Sequence, residues 1–158
     1  MFIYADQLAT PGTLTTNGSA NTATETGFLK PGANASVYLS KLYVGGAGQA
    51  QTTLSHVTVR GLAWGTASTG GTGFSLIART KNAPATGITG ASRSTAGTTR
   101  TNIGPIVTCG VSSGNVWQTE TIDSMPTLPA GNAGSLAFED LGGAASMPFT
   151  FELEHREF

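Results

Sequence analysis

Charged side chains are scarce in this chain: Asp, Glu, Lys and Arg together make up 11% of it, His occurs twice and Cys once. An active site gathers acids, bases, nucleophiles or metal ligands in a cleft. So thin a stock, with no recognisable constellation in it, argues against an enzyme and against a bound cofactor. A single cysteine excludes an intrachain disulfide. Cys109 stands in the apolar run IVTCGV (106–111) and reads as a small buried hydrophobe. No sequence feature offers it the His partner that a catalytic thiol needs. Long hydrophobic runs are also missing, and none approaches the ~18 residues of a membrane span. The first six residues, MFIYAD, have neither a basic n-region nor an apolar h-region. No secretory leader is expected, and the chain is expected to be soluble and made in a cytoplasm.

What is abundant is small. Gly, Thr, Ala and Ser account for about half of the 158 residues, while 39% of the chain is hydrophobic and the net charge is −1. Low hydrophobicity without high net charge is not the signature of disorder. The length fits one domain, residues 1–158, able to bury about two thirds of its unfolded surface. No segment shows an apolar period of 3.6. Short runs rich in β-branched and aromatic residues recur instead between Gly, Asn, Pro and Thr clusters. They place strands at 2–8, 36–44, 53–64, 74–80, 103–111, 116–122, 135–141 and 149–156. Eight short strands without a helix predict an all-β, single-domain, jelly-roll-like antiparallel β-sandwich with long Gly/Thr-rich loops.

The last strand is the most explicit. Phe149, Phe151 and Leu153 fall on one face by the two-residue alternation, and Thr150, Glu152, Glu154 and Arg156 on the other. Pro148 precedes them, where a missing N–H does little harm. In 53–64, Val57 and Val59 share a face with Gly61 and Ala63. The opposite face mixes His56, Thr58, Arg60, Leu62 and Trp64, so both sides of this strand are expected to be covered. Three stretches read as loops: a polar arm at 9–27, a tight connection at 65–73, and 81–102, about twenty residues without an obvious strand. A loop that long inside a compact domain is usually functional or mobile. A shorter connection is expected at 126–134.

Charge is segregated along the chain. No acid occurs between residues 26 and 119, a stretch holding Lys30, Lys41, Arg60, Arg79, Lys81, Arg93 and Arg100. From Glu120 onward there are seven acids against the single base Arg156, and the first 25 residues add Asp6 and Glu25. The bases are spread out and have no aromatic platform between them, which argues against nucleic acid as a partner. Two readings remain: scattered solvent-facing charges, or self-association in which the basic middle of one copy faces the acidic end of another. Lys81, Arg93 and Arg100 in the acid-free loop, with Thr15 and Asn17 in the early arm, are the candidate partner-binding residues. Arg60, Trp64, Glu152 and Glu154 are the candidate subunit-interface residues.

Chemical motifs fail on inspection. No Gly-Lys-Ser/Thr supports a phosphate loop, and GxGxxG is absent around Gly46. Gly90-Ala91-Ser92-Arg93-Ser94 nearly spells a nucleophile elbow but lacks its final Gly. His56 and His155 stand apart from other metal-ligating types and read as surface or strand residues. Glu152 and Glu154 on one strand face could bridge a cation, but a solvated edge accounts for them more simply. Asp123, Glu139 and Asp140 lack calcium-loop spacing. Trp64 and Trp117 are either a sugar-stacking platform or core and interface residues.

The segment 36–80 (SVYLSKLYVGGAGQAQTTLSHVTVRGLAWGTASTGGTGFSLIART) and the stretch from Val116 through FTFELE (149–154) resemble small jelly-roll head-decoration, or cement, proteins of tailed bacteriophages. The shared pattern is an apolar strand ending in Val44-Gly45-Gly46, the 53–64 strand, a Gly/Thr-rich turn and a closing Phe-rich strand. The resemblance covers about two thirds of the chain and leaves out 81–102. It implies a structural virion protein on the outer surface of an assembled capsid. Such a protein binds the major capsid protein, often as a homotrimer at junctions between capsid subunits. The competing reading is a tail or fibre adhesin that binds carbohydrate, which would require an exposed Trp or Tyr.

Overall fold

The computed structural model describes residues 1–8, 14–15, 24–46, 56–92, 94–110, 113–141 and 148–158. Twelve strands run through them: β1 (Phe2–Leu8), β2 (Leu14–Thr15), β3 (Thr24–Lys30), β4 (Val37–Gly46), β5 (His56–Thr66) and β6 (Thr72–Ala78), followed by β7 (Thr89–Ser92), β8 (Thr98–Gly110), β9 (Gly114–Gln118), β10 (Thr127–Leu128), β11 (Ser135–Asp140) and β12 (Pro148–Glu157). The only helical element among the described residues is a 3₁₀ turn, Ile122–Ser124.

Every pairing is antiparallel, and the order across the strands is β10-β4-β12-β1-β6-β7-β3-β11-β5-β8, with β9 beside β10 on the free edge of β4 and β2 on β12. The ladder bends at β6. Its first residues pair with β7, and the rest of it pairs with β1. Two layers result: sheet A (β9/β10, β4, β12, β1, β6) and sheet B (β7, β3, β11, β5, β8). The pairings nest: β1 with β12, β3 with β11, β4 with β9, β5 with β8. A long hairpin rolled up on itself gives this nesting, which is the jelly-roll arrangement of a sandwich.

The layers meet through the residues that the strand period turns inward. Leu42 and Val44 of β4 with Phe149, Phe151 and Leu153 of β12 face Leu29, Val59, Val107, Leu136 and Phe138 of sheet B in one buried cluster. Burying each large apolar side chain is worth roughly 1.5–3 kcal/mol. Cys109 lies in the same cluster, where burial pushes its thiol pKa up. A second cluster on the far side of sheet B joins Phe28, Ala91 and Ala137 with Trp64 against them. The mixed face of β5 is the outer face of sheet B, partly buried at Thr58, Arg60 and Trp64 but with no second layer packed over it among the described residues, so the expected cover on both sides is not found.

Two glycine positions show why these loops and strands need small residues. Gly70 and Gly71 turn the chain from β5 to β6 with φ of 68° and 84°, values that side-chain-bearing residues avoid. Gly61, within β5, lies so close to β8 that a Cβ would sit 2.3 Å from the Gly104 carbonyl oxygen.

Three expected connections contain strands, the shortest being 126–134, which holds β10. The arm at 9–27 holds β2 and runs into β3, which starts at Thr24; the stretch 81–102 holds β7 and the start of β8. Thr-Gly-Ala-Ser carries no local strand signal, and β7 exists because β3 and β6 offer it backbone partners. Conversely, the strand expected at 116–122 ends at Gln118, and Ile122 opens the 3₁₀ turn.

Candidate functional site

The inward row of β12 does not stop at Leu153. It continues through His155 and Glu157, both buried. His155 Nδ1 lies 2.8 and 2.7 Å from the two carboxylate oxygens of Asp6 on β1, and Nε2 lies 3.1 Å from Glu157 Oε1. Glu157 also accepts from Thr86 Oγ1 and, at 3.1 Å, from the Gly87 N–H. Tyr4 stacks on the imidazole with centroids 5.1 Å apart, and its hydroxyl donates to the Pro84 carbonyl at 3.0 Å. The network fastens the first strand, the last strand and the segment after β6 to one another.

Its electrostatics follow from burial and pairing. Burial acts to lower the His155 pKa, but hydrogen bonds and charge from Asp6 and Glu157 outweigh it and raise the pKa to about 9. Burial raises that of Asp6 to about 6 against the lowering effect of His155. For Glu157 burial is again the largest influence, and the combined bonds from His155, Thr86 and Gly87 overcome it and lower the pKa. Near neutrality an imidazolium therefore lies between two carboxylates. Both of its nitrogens are engaged and the ring is wholly buried, so it has no free nitrogen with which to serve a substrate as general base. Among the described residues no group of three or more His, Cys, Asp or Glu has the geometry to hold a metal ion.

His155 is thus a strand residue, as expected, but an interior one rather than a surface one. The signal that could have found its role is parity: 149, 151, 153, 155 and 157 share one face of the strand.

The candidate interface residues separate onto opposite outer faces of the sandwich. On sheet B, Arg60 Nε donates to Glu139 Oε1 at 2.9 Å, with Nη2 on the same oxygen. Trp64 Nε1 donates to Glu25 Oε2 at 2.8 Å, and Glu25 also accepts from Ser94 Oγ at 2.5 Å. On sheet A, Glu152 pairs with Arg79 Nη2 at 2.8 Å, while Glu154 lies 4.0 Å from Arg79 Nε and accepts from Ser40 Oγ at 2.9 Å. Arg79 occupies the place that a cation bridging the two carboxylates would take. Of the partner-binding candidates, Lys81 is exposed in the turn after β6. Thr15 pairs with Pro148 and Arg100 stands opposite Trp64 in the strand ladders. Arg93 and Asn17 lie outside the described residues.

Sheet A presents a five-strand outward face. Ile77 of β6 is opposite Ala5, Ala5 opposite Glu154, Glu154 opposite Lys41, and Lys41 opposite Gln118 of β9. At the β6 side stand Ile77, Arg79 and, in the following turn, Lys81. At the β9 side stand Val116 and then Glu120, Ile122 and Asp123, all exposed. The segment bearing these acids is held at the rim by Thr119 N–H on the Ser40 carbonyl and by Arg156 Nη1, 3.5 Å from the Glu120 carbonyl. A separate open depression of about 430 Å³ between Lys30, Pro31, Thr89 and Asn132 has Lys30 as its one charged lining residue, too little for acid–base chemistry.

Compared with protein families, curated proteins and solved structures, the chain matches none.

Proposed function

We propose that this chain is a structural virion protein that decorates and stabilises an assembled bacteriophage capsid. It binds the major capsid protein on the outer surface and acts as a homo-oligomer, for which the resemblance favours a trimer. One observation carries the reading. Five of the buried ionisable side chains, Asp6, Glu25, Glu139, His155 and Glu157, are engaged in joining strands, while the outward face of sheet A mixes exposed apolar and charged residues in the manner of a protein contact surface. Small side chains allow close backbone approach, and many weak contacts summed over copies resist the pressure of a filled shell. The sugar-binding alternative is the less favoured, since Trp64 is tied to Glu25 and Trp117 packs in part against the main core.

Quantitative mass spectrometry of purified particles, counting this chain against the main shell protein, tests the reading. A copy number near that of the shell protein is expected. A handful of copies, or none, overturns it.

A further inference from the structure

Of the seven exposed large apolar residues among those described, five (Met1, Ile77, Val116, Ile122 and Phe158) belong to the outward side of sheet A or its β9 rim. Met1 lies 3.7 Å from Arg156 Nη1, and Phe158 packs edge-on against Tyr38, which fixes both to that side. Exposed apolar residues concentrated on one face mark a contact surface. The other two, Ile103 and Ile106, lie on β8 at the edge of sheet B, and farther in on that sheet Trp64 covers Phe28, Ala91 and Ala137.

The charges say what the surface fits. In its middle Arg79 pairs with Glu152 and Lys41 stands opposite Glu154, while the buried Arg156 is engaged with the Glu120 carbonyl and Met1. What is left at the two ends is opposite in sign: Lys81 beyond Ile77 on the β6 side, and Glu120 and Asp123 around Val116 and Ile122 on the β9 side. Each end joins an exposed aliphatic residue to a charge that the other end complements. A surface whose two ends complement each other is filled by a second copy in a heterologous, head-to-tail contact, which closes into a ring or runs on as a filament.

We infer that the outward face of sheet A is the contact between copies of this chain, the β9 rim of one seated on the β6 side of the next. This deepens the homo-oligomer part of the proposed function and is independent of the capsid part. Particle-free protein answers it, whereas copy counting on particles answers the other.

The test is analytical ultracentrifugation of the full chain across a concentration series at low and high salt, with three charge variants. Wild type is expected to sediment at a multiple of 16.0 kDa. Lys81→Glu alone, or Glu120→Lys with Asp123→Lys, is expected to weaken self-association roughly tenfold at low salt and less at high salt. All three substitutions in one chain restore complementarity and are expected to recover most of the loss. Circular dichroism confirms that each variant is folded. Val116→Ser, which touches no charge, is expected to weaken association at either salt concentration. Wild type that sediments as a monomer throughout overturns the inference. So does a triple variant as weak as the single-rim variants, because the rims would then not meet.

Discussion

His155 Nδ1 stands 2.7 Å from Asp6 Oδ2 although 149 positions separate the two residues. The bond lies within the β1–β12 pairing, where Tyr4 is opposite His155 and Asp6 opposite Leu153. It joins the outermost pair of the rolled hairpin at a point where the core row has turned from apolar to ionic.

Removing one member of that network leaves buried charge without its counter-charge. His155→Ala is expected to cost about 3–5 kcal/mol, and Asp6→Leu with His155→Leu much less than the sum of the two single changes. Urea unfolding of the four chains measures the coupling. Additive losses would mean the contact is incidental.

Stability should also depend on pH with a particular shape. His155 has a raised pKa, so its contribution is complete below its ordinary value of 6.5 and is lost as pH climbs through about 9. Asp6, also raised, contributes in the same sense, its share complete below 3.8 and lost by about 6. Glu157 is lowered, so its contribution is present above 4.5 and lost on acidification through its folded pKa. Urea midpoints are expected to fall between pH 7 and pH 10. His155→Gln should flatten that decline, and an unchanged slope would remove the assignment.

Trp64→Phe keeps the ring against Phe28 and Ala137 but deletes the donor to the buried Glu25 carboxylate. A loss of about 1–2 kcal/mol is expected in thermal or urea unfolding followed by circular dichroism.

Gly61→Ala places a methyl group 2.3 Å from the Gly104 carbonyl oxygen, which belongs to backbone rather than to a flexible side chain. The paired strands must shift, and a cost of about 2 kcal/mol or more is expected from the lowered denaturant midpoint. Tolerance equal to that of an open site such as Gly73 would contradict the close approach.

Alanine at Arg93 and Arg100 together is expected to weaken attachment to capsids, most strongly at low ionic strength. Occupancy on purified particles, measured through a salt series, reads the effect. Occupancy that does not respond to salt or to the substitutions removes these residues from the contact.

Several strands were legible because their pattern is local. The alternation of Phe149, Phe151 and Leu153 needs only its own strand to be recognised, and Val59, Leu136 and Phe138 likewise turn inward. The strand β3 was hidden because Thr-Glu-Thr-Gly at its start reads as turn chemistry. Yet Glu25 is buried and bonded to Trp64, 39 positions away. The candidate site was hidden for a similar reason. His155 and Glu157 look like the polar end of a strand until Asp6 and the Gly87 N–H are seen to occupy their polar atoms. That Arg60 and Trp64 stand on one outer face of the sandwich and Glu152 and Glu154 on the other was likewise not legible, because it depends on which sheet each strand joins.

By itself the sequence determined the kind of element and the dry face of its clearest strands, because steric preference and the two-residue period act within a few neighbouring positions. It also determined the thin stock of reactive groups and the separation of charge along the chain. Only the tertiary structure decided which strands pair, which ionisable groups enter the interior, and which charges reach the same face. Those outcomes depend on backbone hydrogen bonds and counter-charges supplied from positions far apart in the chain, and no local pattern specifies such a partner.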